Sequence, residues 1–123
     1  FIIDTHDLKA ISDRNKLLAY ADDTDLLVPS NSDTTMADEF DNILTCTNNN
    51  KMAINISKTK QIIFRRPNLH RPEAINYIAG VELVDCLKVL GVFVHENLNQ
   101  SQHVNYVVGI ANQRMYLILY LHR

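Results

Sequence analysis

In the stretch KLLAYADDTDLLVP, residues 16–29, three carboxylates stand within four positions, Asp22, Asp23 and Asp25, between two apolar runs. Leu17–Ala21 and Leu26–Val28 each suit a buried strand, which leaves the acidic residues crowded on the short connection between them. Folding alone gives little reason to put them there. Adjacent carboxylates on one turn repel each other, and a divalent cation removes that repulsion. Mg²⁺ takes hard oxygen ligands, keeps several waters and shares its sphere with phosphates, so one or two protein carboxylates per ion are enough. Asp22 and Asp23 on a rigid hairpin are therefore candidate ligands for phosphoryl or nucleotidyl transfer. On these residues alone a solvated turn explains the pair equally well, because surface turns favour Asp for backbone reasons. Asp25 reads as a surface residue.

The elements that must hold the pair are legible around it. Leu17–Tyr20 and Thr24–Val28 read as two strands meeting at Ala21-Asp22-Asp23, and Pro29 closes the second by withholding a backbone donor. Met36, Phe40, Ile43, Leu44 and Thr47 recur at helical spacing, with Ser32 or Asp33 to cap the start and Asn48–Asn50 to end the helix. Met52, Ile54 and Ile56 alternate with Ala53, Asn55 and Ser57, the pattern of a half-buried strand, and QIIF at 61–64 is expected to continue the sheet. Two more strands are expected around Ile75–Ile78 and Leu87–Val94, broken at Gly80 and Gly91. Val104, Val107, Val108, Ala111, Met115, Ile118 and Leu119 mark a C-terminal amphipathic helix whose stripe suits core packing. The first fifteen residues read as loop or the end of a helix. Strands and helices in this order give an α+β class.

Composition bounds the rest. A chain of 123 residues, 46% apolar and 21% charged, suits one globular domain with a modest core. Cys46 and Cys86 are too few for a disulfide framework, and five scattered histidines have no zinc-ligand spacing. The chain begins at Phe1, shows no signal pattern, and its most apolar segment, YLILYL at 116–121, is too short to cross a bilayer. These features suggest a piece of an intracellular protein, nuclear or cytoplasmic. The net charge of −2 conceals an uneven distribution. Residues 1–50 carry −7, residues 51–72 carry +6 and residues 73–123 carry −1. An acidic turn followed by a basic segment suits metal ions and phosphates together, and two ordinary solvated surfaces would look the same.

With Tyr20 and Ala21 before the acidic pair, Tyr20-Ala21-Asp22-Asp23 resembles the Y-x-D-D box of reverse transcriptases, motif C of the polymerase palm. NKMAINISKTKQIIF at 50–64, with its Asn-x-x-Lys-Thr-Lys core, resembles motif D of the non-LTR (LINE-type) retrotransposon enzymes. LKVLGVFVHENLNQSQHV at 87–104 resembles motif E, the primer-grip hairpin, and the helix after His103 is similar to the start of the thumb. These features lie in the family's order and cover nearly all of the chain. The resemblance implies a partial palm over residues 1–98, an antiparallel sheet with a packed helix, and the first thumb helix over 99–123.

It also implies roles. Asp22 would be the principal ligand of a two-Mg²⁺ site in which Mn²⁺ can substitute, with Asp23 its partner near the primer terminus. Tyr20 and Ala21 would line the floor beneath that terminus. Lys58 would approach the leaving pyrophosphate, with Lys60 as the rival. Leu90 and Gly91 would sit in the primer grip and Lys88 near backbone phosphate. Arg65, Arg66 and Arg71 are candidates for template or primer phosphates, with a solvated loop as the alternative. The implied partners are an RNA template, a DNA primer and a deoxynucleoside triphosphate. The family's third carboxylate, on motif A, has no counterpart here. Asp4 and Asp7 lie too close to Asp22 to supply it, and FIIDTHDLKAI is similar instead to the tail of the motif B region. A fragment without fingers or motif A is not expected to polymerise alone. Two other readings stay open: a non-catalytic remnant that binds nucleic acid or a protein, and an unrelated Mg²⁺-dependent phosphohydrolase.

Overall fold

The computed structural model describes residues 8–68 and 77–122. Along the chain come β1 (Lys16–Tyr20), β2 (Asp23–Leu27), α1 (Met36–Asn49), β3 (Lys60–Gln61), β4 (Glu82–Leu83), β5 (Cys86–Val89), β6 (Val92–His95) and α2 (Ser101–Leu121). The class is α+β, as the order of patterns predicts. The strands pair two by two, β1 with β2, β3 with β4 and β5 with β6. The expected single sheet is therefore replaced by three separate ladders among the described residues. The chain divides into two compact units, one over residues 8–59 and 77–82, the other over 60–68 and 83–122. The motif B tail expected over residues 1–11 and the strand expected around Ile75–Ile78 fall largely outside the described residues. Tyr77 and Ile78 have no regular structure.

In the first unit β1 and β2 form an antiparallel hairpin in which Tyr20 pairs with Asp23 and Leu18 with Asp25. The connection is thus only Ala21-Asp22, and Asp23 belongs to the strand rather than the turn. Ala21 sits at φ 51°, the left-handed region that a two-residue hairpin turn requires at its first position. The burial expected of these strands is not realised. Leu17 and Leu26 are half-buried, but Leu18 and Tyr20 lie open to solvent.

Helix α1 begins one turn later than Ser32 or Asp33 would place it. Its N-cap is Thr35, whose hydroxyl accepts from the Asp38 backbone N–H while the Asp38 carboxylate accepts from the Thr35 N–H. This reciprocal pair satisfies two donors that the helix start would leave open. The expected stripe does face inward: Phe40, Ile43 and Thr47 are buried, and Met36 and Leu44 half-buried. Phe40 and Ile43 are the buried apolar side chains among the described residues, worth about 1.5–3 kcal/mol each when fully removed from water. The helix ends where the asparagine run predicts, with the Asn50 N–H donating to the Cys46 and Asn48 carbonyls.

After it, Met52, Ile54 and Ile56 are half-buried and Ala53, Asn55 and Ser57 exposed, the expected alternation. No ladder accompanies it, so the segment is not a strand. Alternation reports which side faces the core, whereas a strand also needs a neighbour to bond.

In the second unit QIIF contributes only Gln61 to a strand, and Phe64 is exposed. The Val84 N–H donates to the Gln61 carbonyl at 2.9 Å. The expected Leu87–Val94 strand is a hairpin, β5 antiparallel to β6 with Val89 opposite Val92. Its turn residues, Leu90 at φ 47° and Gly91 at φ 87°, are both left-handed, the type I′ geometry whose twist matches the flanking strands. Gly91 adopts it freely, while a leucine held there stores on the order of 1–3 kcal/mol of strain. Helix α2 packs on β6 through its first turns. It contains no buried residue, so Val104, Val107, Val108, Met115, Ile118 and Leu119 stand exposed instead of forming the expected core stripe. Among the described residues no helix is long and apolar enough to cross a membrane.

Candidate functional site

The closed end of the β1–β2 hairpin carries the acidic pair. Tyr20 is 68% exposed, and Ala21, Asp22 and Asp23 are exposed with it. Neither carboxylate has a hydrogen-bond or ion-pair partner among the described residues. Alternation places Lys16, Leu18, Tyr20, Asp23, Asp25 and Leu27 on one face of the hairpin, and Leu17, Ala19, Thr24 and Leu26 on the other. Asp25, expected at the surface, is half-buried. Because Asp22 and Asp23 are open to water, solvent and salt screen their mutual repulsion, and the crowding alone does not demand a cation. What the geometry offers is two adjacent sets of hard oxygen donors on a fixed turn. That set fits two ligands of a divalent ion whose remaining positions go to water and phosphate. Among the described residues no group of three or more His, Cys, Asp or Glu is arranged to hold a metal.

The other end of the hairpin is held by a group that the sequence reading passed over. Glu39, on the first turns of α1, is 0% exposed. Its carboxylate accepts from the Ile11 N–H at 2.9 Å, the Ser12 N–H at 3.1 Å, the Asn15 amide at 2.5 Å and the Thr34 hydroxyl at 3.1 Å. The Asn15 amide also donates to Thr34 Oγ1, and the Ser32 hydroxyl donates to Asn15 Oδ1. Asn15 directly precedes β1, and Ser32 and Thr34 follow β2, so both feet of the hairpin meet at one carboxylate. No cation pairs with Glu39 among the described residues, Arg14 being turned to Asp33 at 3.7 Å. Burial pushes the Glu39 carboxyl up, but the bonds from Ile11, Asn15, Ser12 and Thr34 outweigh it and hold the group below its ordinary range. A signal for Glu39 was present in the sequence. It lies three residues after Met36 and one before Phe40, on the apolar face of the helix.

Lys58 lies in a turn organised by Asn55. The Asn55 carbonyl accepts from the N–H groups of Lys58 and Thr59, both at 3.1 Å, and its side-chain oxygen accepts from the Ser57 hydroxyl at 2.6 Å. This is the local bonding that suits Asn to turns, and it leaves the Lys58 side chain exposed. Lys60, the rival candidate, starts β3 and is half-buried.

In the second unit the candidates divide. Leu90, 60% exposed, and Gly91 form the tip of the β5–β6 hairpin. Lys88 donates to the Tyr106 hydroxyl at 3.1 Å and lies 4.4 Å from the Tyr106 ring centroid and 5.3 Å from that of Phe93. The two rings meet edge to face at 5.2 Å, so this lysine ties the hairpin to α2 by a hydrogen bond and two cation–π contacts. Arg65 pairs with Glu96, which is 4% exposed, and the Arg65 N–H also donates to the Glu96 carbonyl at 2.9 Å. Its guanidinium is thus engaged within the protein, while Arg66 is exposed. Arg71 falls outside the described residues. Comparison of the chain with family models, with curated proteins and with solved structures gave no match.

Proposed function

We propose that this chain is the C-terminal palm and first thumb helix of a LINE-type reverse transcriptase, with Asp22 and Asp23 as its contribution to the metal site. The observation that carries the reading is Tyr20-Ala21-Asp22-Asp23 at the closed end of an antiparallel hairpin, with both carboxylates solvent-facing and unpartnered among the described residues. The β5–β6 hairpin with Leu90-Gly91 at its tip supports it, because a hairpin is what motif E requires. Asp22 and Asp23 would hold Mg²⁺, or Mn²⁺ in its place, which would supply Lewis-acid activation of a primer 3′-hydroxyl and charge stabilisation of a leaving pyrophosphate. Tyr20 presents a ring and Ala21 a small side chain at the same exposed end, where a primer terminus could rest. Lys58 offers an exposed cation to phosphate. The RNA template, DNA primer and deoxynucleoside triphosphate would be met largely through backbone phosphates. On this reading the residues given would need motif A and the fingers beside them to polymerise.

The test is a Mn²⁺ titration followed by NMR line broadening. Broadening centred on residues 20–25, abolished in Asp22→Asn/Asp23→Asn, is the expected result. No localised broadening at millimolar Mn²⁺ would remove the reading. A second reading, a remnant that binds nucleic acid without catalysis, is favoured by the exposed Lys51, Lys58 and Arg66. It predicts binding that weakens steeply with salt and survives the Asp substitutions.

A further inference from the structure

A two-stranded hairpin is marginally stable by itself, and the β1–β2 hairpin bonds to no third strand among the described residues. Its side chains give it little cover, since Leu18, Tyr20 and Leu27 are all exposed. Something other than a packed sheet must fix where its acidic tip stands. The dense, buried bonding at its feet is that feature. Ile11, Ser12 and Asn15 lead into β1, and Ser32 and Thr34 lead out of β2. Asn42 adds a bond from α1 to the Lys9 carbonyl at 3.0 Å. Every group aimed at Glu39 is a donor: two backbone N–H groups, one amide and one hydroxyl. An ionised carboxylate, which only accepts, satisfies all of them, and no other side chain of that length does. A glutamine would turn an NH₂ toward N–H groups, and an aliphatic residue would leave buried donors unmet.

We propose that Glu39 is the positioning residue of the Asp22–Asp23 hairpin, a buried carboxylate that ties both feet of the hairpin to the start of α1. Only the part the hairpin plays in metal binding rests on the function proposed above. The clasp itself stands on the geometry.

Amide hydrogen exchange on the full chain tests it, with Mn²⁺ broadening as the second readout. In Glu39→Gln the cross-strand amides of residues 16–27 are expected to exchange about tenfold faster or more, while those of residues 40–47 change by less than about threefold, the mark of a local rather than global opening. The Mn²⁺ concentration for half-broadening at Asp22 and Asp23 should rise about fivefold as the tip loses its fixed position. Thr34→Val removes one donor, should show the same pattern more weakly, and decides the matter if Glu39→Gln does not fold. Unchanged hairpin exchange, or equal acceleration in hairpin and helix, would overturn the proposal. Faster hairpin exchange in the variants together with a wild type that never responds to Mn²⁺ supports the clasp and removes the polymerase reading. A wild-type Mn²⁺ response with variants indistinguishable from it does the reverse.

Discussion

Among the described residues each of the two units buries one carboxylate, Glu39 in the first and Glu96 in the second, and their known partners differ in kind. Glu39 is surrounded by neutral donors from two loops and the start of a helix, with no cation on it among the described residues. Glu96 meets the guanidinium of Arg65, a residue that is itself one-third exposed. In the first arrangement the charge is spread over several modest hydrogen bonds, each replaceable at moderate cost. In the second a guanidinium carries part of the load, and its loss takes a full opposite charge away from a buried carboxylate. A charge shared among many donors gives geometric definition, because each donor fixes a different piece of backbone. A charge that faces a cation gains a strong link whose loss is felt at once.

That contrast can be broken at its strongest point first. Arg65→Met keeps the aliphatic stem and removes the charge facing Glu96, and should destabilise the second unit by about 3 kcal/mol, the low end for a broken buried pair because Arg65 is partly open to water. Urea denaturation of the variant measures it, and Arg65→Met/Glu96→Met should recover most of the loss. Glu39→Gln comes next, with an expected cost of about 1–3 kcal/mol to the closure of the hairpin, read from exchange of its cross-strand amides. Its pH dependence gives the sign. The folded-state pKa of Glu39 lies below its ordinary 4.5, so the folded state binds fewer protons than the unfolded one. The contribution of Glu39 is therefore complete above pH 4.5 and is lost as the pH falls through the lower, folded value. The hairpin amides of wild type and Glu39→Gln should converge in protection on acidification. Asp38 shifts in the same direction through its bonds to Thr35, and Asp13, Arg14, Asp33 and Asp41 flank the cluster, so Asp38→Asn serves as the control that keeps the wild-type acid response of Glu39. Thr34→Val, which takes one of the neutral donors, should cost about 1 kcal/mol. Last, Asp22→Asn/Asp23→Asn should alter stability by less than about 0.5 kcal/mol, as expected for exposed groups without partners. A larger loss would mean that the exposed pair, too, serves the fold.

What could be read from the sequence was local. The hairpin, the helix stripe of Phe40, Ile43 and Thr47, the asparagine run that ends α1 and the alternation at 52–57 all follow from spacing and turn chemistry, and all are present. Thr35-x-x-Asp38 is a capping box written in the sequence, and it prevails over Ser32 and Asp33, which also have N-cap side chains. What could not be read depends on partners. Residues 52–56 have the pattern of a strand and pair with no strand among the described residues, and α2 has the stripe of a core helix but no buried residue. Of the candidate site, the hairpin tip was visible because its composition is odd. Its foundation was marked only by the place of Glu39 on the apolar side of α1, and its role emerges where Ile11, Ser12, Asn15 and Thr34 converge on it. Arg65 and Lys88 show the same limit: both were chosen for their charge, and both turn to neighbours that only the folded chain reveals.

The exposed stripe on α2 has a thermal consequence. Heat capacity rises on unfolding mainly because hydrocarbon enters water, and polar exposure lowers it. A fold that already leaves Val104, Val108, Met115, Ile118 and Leu119 wet, and that buries Glu39, Asn15, Gln61 and Glu96 instead, has little fresh hydrocarbon to hydrate when it melts. Its increment should fall below the ordinary value of about 12–15 cal/mol/K per residue. The stability curve is then shallow, so the protein should hold much the same margin in the cold as in the warm and unfold gradually where other domains melt sharply.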